Sequence, residues 1–187
     1  MPDADHRAVP ALRRTLDALY LAGGVFGAAS LAAIAGLILA GVLARQVGAT
    51  VPSADDMTSY AVVGSALLPL AYTFRHAAHI RVDLIIGRFR GGARRVMEVA
   101  VLLLSLAMVG FFAYASFDQM TDSLEFGEVS QGILKIPLWL PQLSMPIGAV
   151  LFALALLDDL VVVLAGGVPS YPAGEGVSAV ERAAEEL

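Results

Sequence analysis

The stretch from Arg75 to Arg95 reads RHAAHIRVDLIIGRFRGGARR, and it decides how the chain can fold. It holds six of the twelve basic residues, yet two long apolar segments precede it and two follow it. Short loops rich in Lys and Arg resist translocation, so they mark the cytoplasmic side of a membrane protein. The stretch therefore predicts a cytoplasmic loop between the second and third of four membrane spans.

The same stretch also has the periodicity of an amphipathic helix. Its main apolar stripe follows the i, i+3, i+4, i+7 spacing and consists of Val82, Ile85, Ile86 and Phe89. His79 and Asp83 lie together on one side of the predicted helix, and Arg81 and Arg88 lie on the other. We predict a basic interfacial helix, which either docks a partner or rests its arginines on lipid headgroups.

The composition assigns the chain to the membrane proteins. Of its 187 residues, 58% are hydrophobic, and the mean hydropathy is +0.75, which is too apolar for a soluble domain. The sequence has no cysteine and three histidines, which argues against thiol catalysis, disulfides and a Cys- or His-built metal site. No phosphate loop, zinc-binding helix motif or nucleophile elbow occurs, so we predict no enzyme, no cofactor and no metal.

The apolar segments predict a membrane domain over residues 19–164, with spans at about 19–44, 57–74, 96–117 and 140–164. Residues 1–18 form a cytoplasmic flank, and residues 165–187 form a mobile cytoplasmic tail.

Pro69 predicts a kink in the second half of span two. Small residues crowd the first half of span one, either for close helix packing or through the ordinary enrichment of glycine in membrane helices. They are Gly23, Gly24, Gly27, Ala28 and Ser30.

The distribution of charge predicts the orientation. Ten basic residues fall on the side of the Arg75–Arg95 loop, and only Arg45 and Lys135 fall on the other, so both termini are predicted to be cytoplasmic. The acidic segment from Asp118 to Lys135 is predicted to be an external loop. Glu98 is predicted to form a surface ion pair beside the loop arginines.

The interiors of the spans lack the chemistry of an independent transporter. Such proteins usually carry ionisable groups at mid-membrane, or paired Gly/Pro interruptions in two related halves. Spans one, three and four have no ionisable residue in the middle. In span two the polar side chains are hydroxyl-bearing ones, namely Ser, Thr and Tyr. The residues therefore give no sign of an enzyme or of a transporter that acts alone.

Three blocks in a fixed order carry a resemblance to a known family. They are the acidic start of span two, SADDMTSY at 53–60, then HIRVDL at 79–84, and SQGILKIPLWLPQLSMPIG at 130–148. Over about residues 15–164 the chain resembles the small membrane subunit of tripartite ATP-independent periplasmic (TRAP) transporters. It departs from many relatives in having Ala54, Asp55 and Asp56 where they have a Trp and a Glu, so no role of that Trp is carried over.

The resemblance implies a bacterial inner-membrane heterocomplex. A large multi-spanning subunit would carry an organic acid by an elevator-like motion driven by a sodium gradient, and a periplasmic binding protein would deliver it. The small subunit would be a scaffold. Our alternative is a self-assembling four-helix membrane protein, either a small exporter or a structural factor. The candidate residues for contact with a partner or with lipid are Asp55, Asp56, His79, Arg81, Asp83, Arg88, Pro137, Trp139, Pro146 and Gly148.

Overall fold

The computed structural model describes residues 5–76 and 92–165, with side chains over 13–76 and 95–165. Its helices are α1 (Asp5–Gln46), α2 (Ala54–Leu67), α3 (Leu70–Arg75), α4 (Gly92–Glu125), α5 (Trp139–Gln142) and α6 (Ser144–Leu164). Within these ranges the only β-type pairing is an isolated bridge between Val129 and Pro137. The predicted all-α fold is confirmed. The predicted interfacial helix and the tail fall outside the described residues.

Among the described residues, four helical stretches are long and apolar enough to cross a membrane. They are Arg13–Gln46, Ala54–Arg75, Arg95–Glu125 and Trp139–Leu164. The third is longer than predicted, because α4 continues through Glu125 into the acidic segment that we expected to be a loop. No Gly or Pro interrupts residues 117–125, and α4 ends only before Gly127, whose φ of 62° suits a helix terminus.

The helices are arranged around α6. Contacts join α1 to α2 and α3, join α2 and α3 to α6, and join α6 to α4. In the most apolar window of the fourth span 39% of the residues are buried, against 6% in the first span. Helix α6 is therefore the centre of the layer, and α1 and α4 form its edges.

The two ends of the helix layer differ in how well they are packed. We call the end where α1 and α4 begin and α3 and α6 end the basic-loop end, and the opposite one the acidic-loop end. Buried apolar residues concentrate towards the basic-loop end, and they are Tyr20, Ala71, Phe74, Leu102, Ala155, Leu156, Leu160 and Val163. Phe74 also packs edge-on against Phe152, with ring centroids 5.5 Å apart. This end holds the core of the described chain.

Large apolar side chains cover the outer faces of the edge helices. On α4 the exposed side chains include Met108, Phe111, Tyr114 and Phe117, and on α1 they include Leu31, Leu39 and Leu43. A soluble monomer rarely exposes contiguous apolar surface of this kind. These faces are suited to lipid or to another membrane protein.

Candidate functional site

A charged network at the basic-loop end joins three helices. Arg75, in the last turn of α3, donates a hydrogen bond through Nη1 to Oδ2 of Asp158 on α6. Its Nη2 lies 3.2 Å from Oδ1 of Asp17 on α1, and its guanidinium carbon lies 5.5 Å from the centroid of the Tyr20 ring. Because Arg75 and Asp158 are only 18% and 20% exposed, the pair is shielded from water in a way that a surface pair is not. Arg75 therefore connects α1, α3 and α6.

Two further acidic residues near this end are buried. Asp159 has no exposed surface, and Glu98 is 7% exposed. The predicted surface position of Glu98 is wrong, because the turn of α4 that carries it packs inward, one turn before the buried Leu102. Arg95 reaches α6, where its Nη2 donates to the Leu164 carbonyl at 2.7 Å. A cation at the last carbonyls of a helix complements the helix dipole.

Span two is interrupted in its second half, where the kink at Pro69 was predicted. Helix α2 ends at Leu67 and α3 begins at Leu70. Proline has no amide hydrogen, so the carbonyl of Ser65 loses the donor that a continuous helix would provide. Glycines of α1 and α6 approach this interruption, and a Cβ at Gly148 would lie 2.7 Å from the Leu67 oxygen.

Pro146 and Gly148, two of the candidate interface residues, are both buried within the described chain. Gly148 lies against the Leu67 backbone and so joins α6 to span two. A role of either residue in contact with a partner or with lipid stays a prediction.

At the acidic-loop end, the start of α2 is covered by the segment that links α4 to α5. Ser53 occupies the N-cap position with a φ of 54°, but its side chain makes no cap hydrogen bond. Its hydroxyl instead accepts from the Leu134 amide at 3.0 Å. The backbone at Gly132 lies so close to α2 that a Cβ there would overlap the Asp56 carboxylate and lie 2.7 Å from Oγ of Ser53. The segment is therefore seated directly on the first turn of α2.

The two acidic residues of this turn have different surroundings. Asp55 is exposed, whereas Asp56 is half-buried and its Oδ2 is covered without a hydrogen-bond partner. Negative charge in the first turn of a helix is favoured by the helix dipole. Asp55 is thus available to a partner or to solvent, and Asp56 belongs to the contact with Gly132.

The covering segment is held by its own hydrogen bonds. The Ser130 hydroxyl donates to the Leu134 carbonyl at 2.6 Å, and the Ser130 amide donates to the Ile136 carbonyl at 2.8 Å. The Leu138 amide donates to the Glu128 carbonyl at 3.0 Å. Pro137 is exposed, and Trp139 is half-buried at the start of α5. The segment from Glu128 to Leu138 forms a closed loop, which we call the brace loop.

Four of the candidate residues lie outside the described residues, namely His79, Arg81, Asp83 and Arg88.

Two observations limit what the described residues can do chemically. Over 5–76 and 92–165, no group of three His, Cys, Asp or Glu residues is placed to hold a metal ion. A groove of about 190 Å³ is lined by apolar side chains only, namely Leu67, Leu70, Met108, Val109, Phe112, Ala149 and Phe152. A groove without polar groups offers nothing to orient a charged solute.

Sequence reasoning did not find the Arg75 network or the role of Gly132. Asp17 and Asp158 are 58 and 83 residues away from Arg75 in the chain, so no local spacing signals the network. Gly132 lay inside a block that we quoted for the resemblance, but its contact with Asp56 depends on how two separate segments meet.

The comparisons with known proteins agree with the architecture. Residues 34–166 match the family model described as "Tripartite ATP-independent periplasmic transporters, DctQ component". A comparison with curated proteins found no match. The matched family is a transporter component and not an enzyme family. The match covers most of the chain, including three of its four spans in full, and the chain therefore belongs to the DctQ component family of TRAP transporters.

Proposed function

We propose that this chain is the small scaffold subunit of a sodium-driven, binding-protein-dependent TRAP transporter that imports an organic acid. It would pair with a large transport subunit in the bacterial inner membrane and keep both termini in the cytoplasm. The large subunit would carry the solute, and a periplasmic binding protein would deliver it. The small subunit would hold the static part of its partner in the bilayer.

The observation that carries this proposal is that the described residues between the two ends of the helix layer include no acidic or basic side chain. An imported organic acid needs cationic or hydrogen-bonding groups along its path. The described acidic and basic side chains lie towards the basic-loop or acidic-loop end, and the groove beside α6 is apolar. The matched family is one component of a tripartite transporter, which supports a partner that would supply the pathway.

The packing also supports a static role. Arg75 connects three helices at one end, the brace loop covers α2 at the other, and glycines of α1 and α6 contact the interruption of span two. The outer faces of α1 and α4 leave large apolar side chains for lipid or a membrane partner. A rigid layer with apolar edges suits a protein that anchors another one.

Reconstitution tests the proposal. Liposomes would contain this chain alone, the large subunit alone, or both, each with the binding protein and an inward sodium gradient. We expect uptake only when both subunits are present. Uptake by this chain alone, or full uptake by the large subunit alone, would reject the scaffold role. A ligand screen on the binding protein identifies the solute.

Co-purification separates this function from the alternative of a self-assembling membrane protein. The scaffold should elute with the large subunit at a constant ratio, whereas the alternative predicts homo-oligomers even when the large subunit is present.

A further inference from the structure

The interruption of span two leaves backbone carbonyl groups that need other surroundings than a continuous helix provides. In a hydrocarbon environment every backbone carbonyl needs a partner, because no water replaces the missing amide. Irregular backbone at membrane depth occurs where protein buries it or where it lines a water-filled cavity. The interruption at Leu68 and Pro69 must therefore be buried or must line a pathway.

Neighbouring glycines bury it from two sides. On α1, a Cβ at Gly23 would lie 2.5 Å from the Leu68 carbonyl oxygen. On α6, a Cβ at Gly148 would lie 2.7 Å from the Leu67 carbonyl oxygen. Both distances are shorter than 3.0 Å, which real Cβ atoms essentially never show, so no side chain fits between either glycine and the carbonyl it faces. The two carbonyl groups thus face the backbones of α1 and α6, and no space is left there for a solute.

A third glycine, Gly27, packs directly against the Pro69 ring. A Cβ at Gly27, one turn beyond Gly23 on α1, would lie 2.7 Å from Cδ and 2.8 Å from Cγ of the Pro69 ring. Such distances are too short for a side chain of any kind, so only glycine allows this packing.

We infer that Gly23, Gly27 and Gly148 form a glycine clasp that locks span two in its interrupted shape. The clasp makes this interruption a fixed bend, in contrast to the interrupted helices of many transporters, which form binding sites near the midplane. The bend is a property of this chain and can be measured without a transport partner, so the inference does not depend on the proposed function.

The test measures the bend directly in the full-length chain in nanodiscs. The natural sequence has no cysteine, so Ser59→Cys on α2 and His76→Cys after α3 are the two labelled positions of the chain. One spin label then lies on each side of the interruption. We expect Gly23→Ala and Gly148→Ala to shift the interspin distance, because the added methyl group meets backbone atoms that cannot rotate away. Gly36→Ala and Gly41→Ala on α1 are the matched controls, since a Cβ at either position meets nothing within 4 Å.

A double substitution keeps the test decisive if those variants do not fold. Gly27→Ala should lower the thermal unfolding midpoint, and adding Pro69→Ala should restore part of the loss, because it removes the two ring atoms that the new methyl group would meet. An unchanged distance in both Gly23→Ala and Gly148→Ala would overturn the clasp. If neither of these folds, the absence of any recovery in the double variant would overturn it.

Discussion

At the scale of single residues, Arg75 shows how position in the tertiary structure changes the role of a charge. By sequence it is the first arginine of a loop whose charges set membrane orientation. In the structure it ends α3 and contacts Asp158 and Asp17 on two other helices. Because Arg75 has fixed partners on two helices, we expect its removal to lower the stability of the folded chain and not only to affect the orientation of the chain in the membrane.

We expect Arg75→Ala to lower the free energy of unfolding by about 2 kcal/mol. This lies between the roughly 0–1 kcal/mol of exposed pairs and the roughly 3–5 kcal/mol lost on breaking buried ones, because the Arg75–Asp158 pair is only partly covered. Asp17→Asn should cost less than about 1 kcal/mol, since the Asp17 side chain is 60% exposed. Reversible unfolding in mixed detergent micelles measures both. Arg45→Ala is the control, because the Arg45 side chain is exposed and its hydrogen bond in the described part of the chain goes to the Gly41 carbonyl of its own helix.

Asp83 remains a prediction from the sequence, since it lies outside the described residues. An unpaired carboxylate at the edge of a low-dielectric layer is costly, so we expect Asp83 to be paired, either within this chain or with the large subunit. If the segment docks the large subunit, Asp83→Ala should release that subunit during purification, and Arg88→Ala should have a smaller effect. If Asp83→Ala gives the wild-type yield of the complex and wild-type transport, we interpret the segment as an interfacial helix that rests on lipid headgroups.

At the scale of elements, the brace loop shows that the acidic segment is ordered by contacts and not only by turn residues. Its attachment to α2 consists of the hydrogen bond from the Leu134 amide to the Ser53 hydroxyl and the close approach of Gly132 to Asp56. Both contacts involve the first turn of α2 and its N-cap. The loop and the helix should therefore loosen together.

Gly132→Ala should detach the brace loop, because its methyl group would overlap the Asp56 carboxylate. We expect faster amide hydrogen exchange at Leu134 and in the first turn of α2, with little change at the basic-loop end. Gly110→Ala in the middle of α4 is the control, since a Cβ there meets nothing within 4 Å. Equal exchange in the two variants would show that the contact does not hold the loop.

At the scale of the whole molecule, the chain is a layer of helices around α6 and not a self-contained globule. Its best packing is at the basic-loop end, and its edge helices expose large apolar side chains. Packing of this kind is complete only in a bilayer or beside another membrane protein. We expect the charges at its two ends to set the orientation of this layer.

Reporter fusions test that orientation. The ten-to-two distribution of basic residues predicts that fusions after Ser53, Gly91, Gly127 and Gly174 report outside, inside, outside and inside. An enzyme reporter active only in the periplasm and one active only in the cytoplasm give complementary readings at each site. An outside reading at Gly91 would invert the proposed topology.

The sequence by itself determined the class of the protein, because the properties involved are local. A run of about 20 apolar residues forms a membrane helix whatever surrounds it, since the backbone must satisfy its own hydrogen bonds in lipid. Pro69 removes an amide wherever the helix lies, so its kink was predictable as well. The ordered blocks at 53–60, 79–84 and 130–148 were sufficient for the family, which the match over residues 34–166 confirmed.

Only the tertiary structure decided which residues meet. In lipid, one apolar helix face is about as well solvated as another, so hydropathy does not tell which helices are neighbours. The central position of α6, the partners of Arg75 and the burial of Glu98 and Gly148 all depend on shape and on charges brought together from distant segments. The small residues of span one could equally have faced lipid. Their role was settled by the Leu68 carbonyl and the Pro69 ring of the helix packed against them, which lie against Gly23 and Gly27.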